Sequence, residues 1–574
     1  MSDSDYDVII IGSGFAGSLI AKTLAERGLT IAVLEAGGSL PEERHIRQSL
    51  RETFANSDEE EVVAPFRKHL PLDERAHRAR PYVSKNDVTT GRFDADYLRL
   101  VGGTGLAWLG TALRMSPSDF RMHSLYGQGA DWPISYDELE PWYCLAEEEL
   151  GVAGDGESDL VLGAVRSNTH PMPPIAQTYS DRYVATRTRS LKFNDQLLQV
   201  LSTPQARNSL DGYNGRPQCE GYGSCVPLCP VGAKYDPLVH LRQAVLSGAD
   251  LFEGATVTEL EAEETGYISA ARIIRPNGSE HILRARLFVV AANAIETPKL
   301  LLQSKGFCAG GLANESGLVG RYLMEHAQKY SCALLPDPIF AYRGPQSTAG
   351  IEHVRDGPFR KQRAAFRTAL RNDGWRIANG APLGEENGFV HGTILDFVDR
   401  RGLVGRSLRS VVEDEMPRHF ALQSVVEVLP NIENSVSLSR SHTDGTGRPR
   451  AEIHFRIGQY ERDGIVAASR LHEAVFSALG CRAEDVYLNL RHDPAEPDGP
   501  GSHIMGTTVM GDEPKNSVVD RNCQSHAHAN LFIVGSSVFP TGSTANPTLT
   551  ICALALRAAH FIQHSIAWAL NARV

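Results

Sequence analysis

The stretch Cys219 to Asp236, CEGYGSCVPLCPVGAKYD, places three cysteines at C-x5-C-x3-C in a loop punctuated by Gly221, Gly223, Pro227, Pro230 and Gly232. Thiolates gathered so closely suit a metal ion or an iron–sulfur cluster, with Cys219, Cys225 and Cys229 as the candidate ligands. A zinc site is the plainer alternative. It needs a fourth ligand, and the nearest candidate, His240, lies eleven residues beyond Cys229 at no familiar zinc spacing. A disulfide with one spare thiol is the other alternative, disfavoured because the N-terminus carries nothing like a secretory signal. Elsewhere, Gly501-Ser-His503 to Gly511 sets a histidine at the mouth of a glycine-bounded turn, and Asn546-Pro547 opens the apolar run TLTICALALRAAHFI. Pro at a first helical position with Asn as its cap is sound start-of-helix chemistry, so capping alone is one account of Asn546.

Positioning these groups requires a sheet, and the N-terminus announces one. Val8 to Ile11 is a continuous β-branched run of the kind a buried parallel strand needs. It leads into Gly12-Ser-Gly14-Phe-Ala-Gly17, a helical pattern, and a second strand at Ile31 to Leu34 that ends on Glu35. Gly12 permits the tight turn, Gly14 lets the backbone approach a pyrophosphate, and Gly17 lets helix and strand pack closely. Glu35 can accept from a ribose hydroxyl. FAD and NAD share this fingerprint, so the unit alone does not choose between them. Residues 38 to about 96 read as a charged surface excursion. The segment from Leu100 to Arg114 is apolar and rich in glycine, with Gly102 and Gly103 able to lie against a flat ligand. Ser135 and Glu138 form a capping box ahead of a short helix, and further buried strands are expected at 287–293 and 531–534.

At 574 residues the chain exceeds one compact core, so two domains are expected. A net charge of -12, with basic residues scattered, disfavours nucleic acid. No apolar run approaches the roughly 18 residues of a membrane-spanning helix. The chain reads as made in soluble form in the cytoplasm.

These segments together resemble the glucose-methanol-choline (GMC) flavoprotein oxidoreductases, nearly end to end. The markers are GSGFAG, VGGTG at 101–105, AANAIETPKLLL at 291–302, GLVGRYLMEH at 317–326, EVLPNIENSVSLS at 427–439, HIMGTTVMG from 503, and the stretch from Asn530 to Ala559. Within that family the chain is most similar to the large subunits of bacterial FAD-dependent sugar dehydrogenases acting on glucose, fructose or gluconate. The resemblance implies a mixed α/β GMC fold: a discontinuous Rossmann-like FAD-binding domain (1–160, 206–330 and 495–574) and a substrate domain with an antiparallel sheet (161–205 and 331–494). It implies a [3Fe-4S] cluster on Cys219, Cys225 and Cys229. His503 becomes the base that takes the hydroxyl proton, a task suited to an imidazole near neutral pH. Asn546 positions the same hydroxyl, and the helix opening at Pro547 directs its positive end at the flavin. Relatives often carry a histidine just before Trp that bonds the flavin covalently; here Ala107 precedes Trp108, so FAD is expected to be noncovalent. The resemblance also implies a small subunit and a cytochrome c acceptor, with a periplasmic location if a signal-bearing subunit carries the chain across.

Three functions follow for comparison. The leading one is dehydrogenation of a sugar, glycoside or polyol with electrons leaving through the cluster. The second is an oxidase of the same substrates that returns electrons to oxygen as hydrogen peroxide. The third is a non-redox protein on the same scaffold, which the presence of both His503 and Asn546 disfavours. Candidate substrate contacts in 331–494 include Gln423.

Overall fold

Four consecutive β-branched residues can all be buried only in a strand covered on both faces, and Tyr6–Ile11 (β1) is such a strand, with Val8 to Ile11 shielded from solvent. The computed structural model describes residues 5–40, 81–85, 93, 95, 97–222, 225–226, 228–305, 310–341, 343–372, 396–488 and 493–571. Most of the excursion expected over 38–96 lies outside them, although Tyr82–Ser84 pairs in parallel with Pro449–His454. Phe15–Ala25 (α1) connects β1 to the parallel strand Ile31–Leu34 (β2), with Ile11 opposite Leu34. On the other side of β1 lies Glu280–Val290, with Ile11 opposite Val290, and beyond it Leu531–Ile533; Asp250–Phe252 extends the edge past β2. The strands expected at 8–11, 31–34, 287–293 and 531–534 therefore form one parallel sheet. The first half of Glu280–Val290 instead pairs antiparallel with Ile268–Ile274.

A second, antiparallel sheet runs through Val200–Ser202, Ala349–Ile351, Phe366–Arg371, His419–Val426 and Ala327–Leu334, with Val486–Tyr487 and Gly499–Pro500 both paired to the last of these. It reaches a few residues outside 331–494 at both ends. Side chains alternate across its strands. Phe366, Leu370, Phe420 and Leu422 pack with Ile465, Leu471 and Phe476 of the helix Gln459–Ala478. The opposite face presents Gln328, Tyr330, Arg371 and Gln423 to a cavity between the sheets.

Local signals behave as their chemistry requires. Ser135 and Glu138 cap the helix Tyr136–Leu150 reciprocally, with Ser135 N donating to Glu138 at 2.8 Å and Glu138 N donating to Ser135 at 3.2 Å. The C-terminal helix spans Thr548–Asn571, so Pro547 precedes its first residue.

Gly17 lies where α1 touches the turn below it, and a Cβ there would stand 1.9 Å from the backbone oxygen of Gly12. Neither backbone can yield, so Gly17→Ala is expected to cost about 1–3 kcal/mol by overpacking. Gly38→Ala, where a Cβ meets nothing within 4 Å, is expected to leave stability unchanged. Thermal unfolding by circular dichroism compares them, and equal midpoints would refute this packing account.

Candidate active site

Residues from both sheets close round one cavity of about 510 Å³. Ile11, Leu34 and Val534 bring the carboxyl ends of three parallel strands to it, the usual ligand position in such a sheet. Gly12 has φ +100°, and a Cβ on it would come 2.5 Å from the carbonyl oxygen of Ala291, so only glycine makes this turn without strain. A Cβ on Gly14 would meet nothing within 4 Å, so the amides opening α1 stand clear for an anion. Glu35 is buried and accepts from Ser13 N (3.1 Å), Ser13 Oγ (2.7 Å) and Gly37 N (2.8 Å). Burial pushes its carboxyl up, while these bonds and Arg99 pull it back. Gly102 N donates to Ser13 Oγ at 2.9 Å, which stitches the 101–105 turn to the first glycine loop. Of the predicted nucleotide-binding residues, Gly12, Gly14, Glu35, Gly103, Asn546 and Pro547 line the cavity; Gly17 and Gly102 support it from behind. The residues present fit a dinucleotide, with an open cradle at the helix start and a buried acid at the end of β2.

A chain of four groups meets at the other end of the cavity. His326 Nε2 lies 2.8 Å from the carbonyl oxygen of Ser543, which only accepts, so Nε2 carries the proton and His326 Nδ1 is bare. His326 Nδ1 lies 2.9 Å from His503 Nδ1, so His503 must donate there and its Nε2 is bare in turn. Asn546 Nδ2 donates to that nitrogen at 2.9 Å. The single lone pair of His503 Nε2 is thus held by the Asn546 amide, and both residues stand on the cavity wall. Burial, reinforced by His326, holds His503 well below the usual histidine range, and burial holds His326 at about 4. Both rings are neutral near pH 7. The Asn546 side chain, expected as a helix cap, is turned to His503, and the helix begins two residues later. Behind the pair, Glu325 Oε1 accepts from His503 N at 2.8 Å, while Oε2 is buried without a partner. Burial raises this carboxyl to about 8 against the pull of the backbone amides.

The cysteines lie behind the cavity wall, with Val226 of their loop lining it. Cys225 and Cys229 are buried and Cys219 is half-buried. Burial raises the Cys225 thiol and the Arg207 guanidinium, 3.3 Å from its sulfur, lowers it. A thiol is a poor acceptor for a guanidinium and a thiolate is a good one, so this donor set fits an anionic, cysteine-held metal group. His240 takes no part: it contacts Tyr235 Oη at 2.6 Å and Glu149 at 3.0 Å. Among the described residues, the side chains whose ligand atoms lie within 4.8 Å of one another are Glu147, Asp159 and His170 rather than the cysteines. Arg114 and Arg166 already neutralise those carboxylates at 2.5–2.8 Å.

Known proteins resemble this chain along most of its length. Residues 7–78 match an FAD binding domain, and residues 207–328 and 430–555 match the family described as GMC oxidoreductase. The chain is 32% identical over 565 residues to the fructose dehydrogenase large subunit of Gluconobacter japonicus, covering 98% of both chains. It belongs to the GMC oxidoreductase family. As a GMC oxidoreductase it is an FAD-dependent enzyme acting on CH–OH donors. A further relative is the 6'''-hydroxyparomomycin C oxidase of Streptomyces lividus, 29% identical over 99% of this chain and 93% of its own. In fold, the chain is similar to the crystal structure of pyridoxine 4-oxidase from Mesorbium loti, with a TM-score of 0.61 at 18% identity over 98% of this chain and 99% of that one. No helix among the described residues is long and apolar enough to cross a membrane.

Sequence reasoning about this GMC oxidoreductase missed Glu325, His326 and the polar set Gln328, Tyr330 and Arg371. His326 and Glu325 close the marker GLVGRYLMEH, but their partner His503 lies 177 residues on.

Glu325 makes a testable contribution to stability. Unfolded, it loses its proton near pH 4.5; folded, it keeps it to about 8, so the unfolded state binds fewer protons over that range and stability falls as pH rises through it. Glu325→Gln retains the accepting oxygen and cannot ionise. The variant is expected to lose less stability than wild type between pH 5 and 8. Parallel denaturant-midpoint curves for the two proteins across that range would contradict the assignment.

Proposed function

We propose that this enzyme oxidises an alcohol carbon of a sugar, glycoside or related polyol to a carbonyl, and that the electrons leave through a [3Fe-4S] cluster held by Cys219, Cys225 and Cys229. The pairing of the unprotonated His503 Nε2 with the Asn546 amide at 2.9 Å, both on the cavity wall, carries the reading. A substrate hydroxyl entering between the two displaces that bond and gives its proton to His503 Nε2. Asn546 Nδ2 donates to the same oxygen and orients the carbon-bound hydrogen. As His503 becomes positive, its Nδ1–H bond to His326 strengthens, and Ser543 O holds His326 in the tautomer that can accept it. Bound in the cavity, FAD supplies the acceptor for the hydride. Ala107 lines the cavity with a methyl group and offers no nucleophile, which supports noncovalent FAD.

The opposite wall supports the substrate class. Tyr330 Oη donates to Gln328 and accepts from Gln423 Nε2 at 3.0 Å, and Arg371 donates to Gln423. This ribbon of amides, phenol and guanidinium suits a ligand with several hydroxyls. The fructose dehydrogenase relative points to the same class. Residues 161–205 and 331–494 then serve mainly as substrate domain, and the rest mainly as FAD domain.

A cysteine-held cluster supplies one-electron transfer. Its use implies an acceptor too large to reach the flavin, such as a cytochrome c; that the relative is named a large subunit supports a small-subunit partner. Such a partner, if it bears an export signal, makes the site of action periplasmic. The second reading, an oxidase producing hydrogen peroxide, draws support from the relative named an oxidase at 29% identity.

Two measurements test these readings. His503→Ala is expected to slow reduction of the bound flavin by about 10²-fold or more with normal flavin content. In wild type that rate should stay level as pH falls through 6.5, because burial keeps His503 neutral there; an ordinary histidine titration would remove the assignment. In stopped flow, reduced enzyme is expected to reoxidise fast with a one-electron acceptor and slowly with oxygen. Fast reoxidation by oxygen with stoichiometric peroxide would convert the enzyme to an oxidase.

A further inference from the structure

Among the described residues, four arginines are wholly buried: Arg114, Arg207, Arg355 and Arg360. Three have carboxylate partners, Arg114 with Glu147 at 2.8 Å, Arg355 with Glu352 at 3.2 Å, and Arg360 with Asp119 at 2.8 Å and Glu427 at 2.6 Å. Arg207 differs. Its Nη2 donates to the carbonyl oxygen of Gln346, its Nη1 donates to Cys225 Sγ at 3.3 Å, and its Nε reaches no partner. A guanidinium keeps its charge at any working pH, and a buried charge without an opposite one is costly. Among its contacts, Cys225 is the group able to become an anion. The side chain is aimed at the loop by rigid backbone: Arg207 pairs antiparallel with Lys234, and Ala206 N donates to Gly110 O at 2.7 Å. Arg216, also buried, approaches Cys229 but spends its Nη groups on the carbonyls of Ala233 and Leu150, as a structural tie would.

We propose that Arg207 is a positioning residue for electron exit: its buried guanidinium, 3.3 Å from Cys225 Sγ, raises the reduction potential of the cluster that the cysteines ligate. The proposal rests on the cluster reading given above. A cation buried beside a thiolate ligand lowers the energy of the added electron, because low dielectric leaves the attraction unscreened, and an N–H donor to sulfur acts in the same direction. Downhill transfer from a reduced flavin requires such a raised potential.

The experiment uses the full-length, FAD-loaded protein purified without oxygen, with iron analysis and a potentiometric titration followed by the electron paramagnetic resonance of the oxidised cluster. Arg207→Gln removes the charge and Arg207→Lys retains it. The Gln variant is expected to lower the equilibrium constant for accepting one electron at least tenfold, about 59 mV for a one-electron couple. The Lys variant is expected to stay within a few-fold of wild type. Loss of iron from Gln alone, with Lys loaded and at wild-type potential, also supports a charge requirement. An unshifted potential in the Gln variant overturns the proposal. So does loss of iron from both variants, since the retained charge should then have sufficed. Wild-type protein without iron overturns the cluster reading itself, a result distinct from the other two.

Discussion

A buried imidazole pair that rests neutral constrains the rest of this structure. Two rings within 2.9 Å of each other cannot both be charged, and with Ser543 O fixing the first tautomer, the second has one arrangement left. Everything around it serves that arrangement. Ala327–Leu334 begins immediately after His326, so the strand that roofs the cavity also carries the residue that orients the base. The Gly501 amide donates to His326 O at 2.9 Å and the His503 amide donates to Glu325, which pins the turn bearing His503 to that strand. Asn546 comes from a third part of the chain. His503 is held at the seam of the two sheets, and neither sheet alone contains it.

Much of this was legible in the sequence where a single stretch encodes a whole device. GSGFAG between two β-branched runs gives strand, turn and helix from local steric rules, and the parallel strands near 8–11, 31–34, 287–290 and 531–533 form as their apolar runs require. His503 and Asn546 were found through their motifs, and they meet. What could not be read was pairing across sequence distance. His326 stood in plain view within GLVGRYLMEH, yet nothing local shows that its ring faces His503. Gln328, Tyr330 and Gln423 become neighbours only through a strand register that places Tyr330 opposite Gln423. His240, set aside as a zinc ligand by its spacing, is indeed spent on Tyr235 and Glu149. Asn546 shows a different limit, since one side chain suited both a cap and a base partner, and only its direction separates the two.

Charge is distributed unevenly through the interior. At the nucleotide end, cations meet carboxylates directly, as in Arg99 with Glu296 and Lys299 with Asp444. Near the base, the ionisable groups are kept neutral by burial, including a carboxyl raised to about 8. Behind the wall, at the cysteine loop, the guanidinium of Arg207 faces sulfur. The nucleotide end, the imidazole pair and the cysteine loop thus occupy surroundings of different polarity.

The central sheet also dictates how this protein is born. β1 finds β2 about twenty residues later, but its other neighbour, ending at Val290, and the strand closing on Ile533 are far down the chain. At typical ribosomal speeds the interval from Ile11 to Ile533 takes roughly half a minute to two minutes. Throughout the first part of that time β1 offers an open, strongly apolar edge with nothing to cover it. Until Val290 has emerged, nascent chains of this enzyme therefore carry that edge within reach of mispairing with one another.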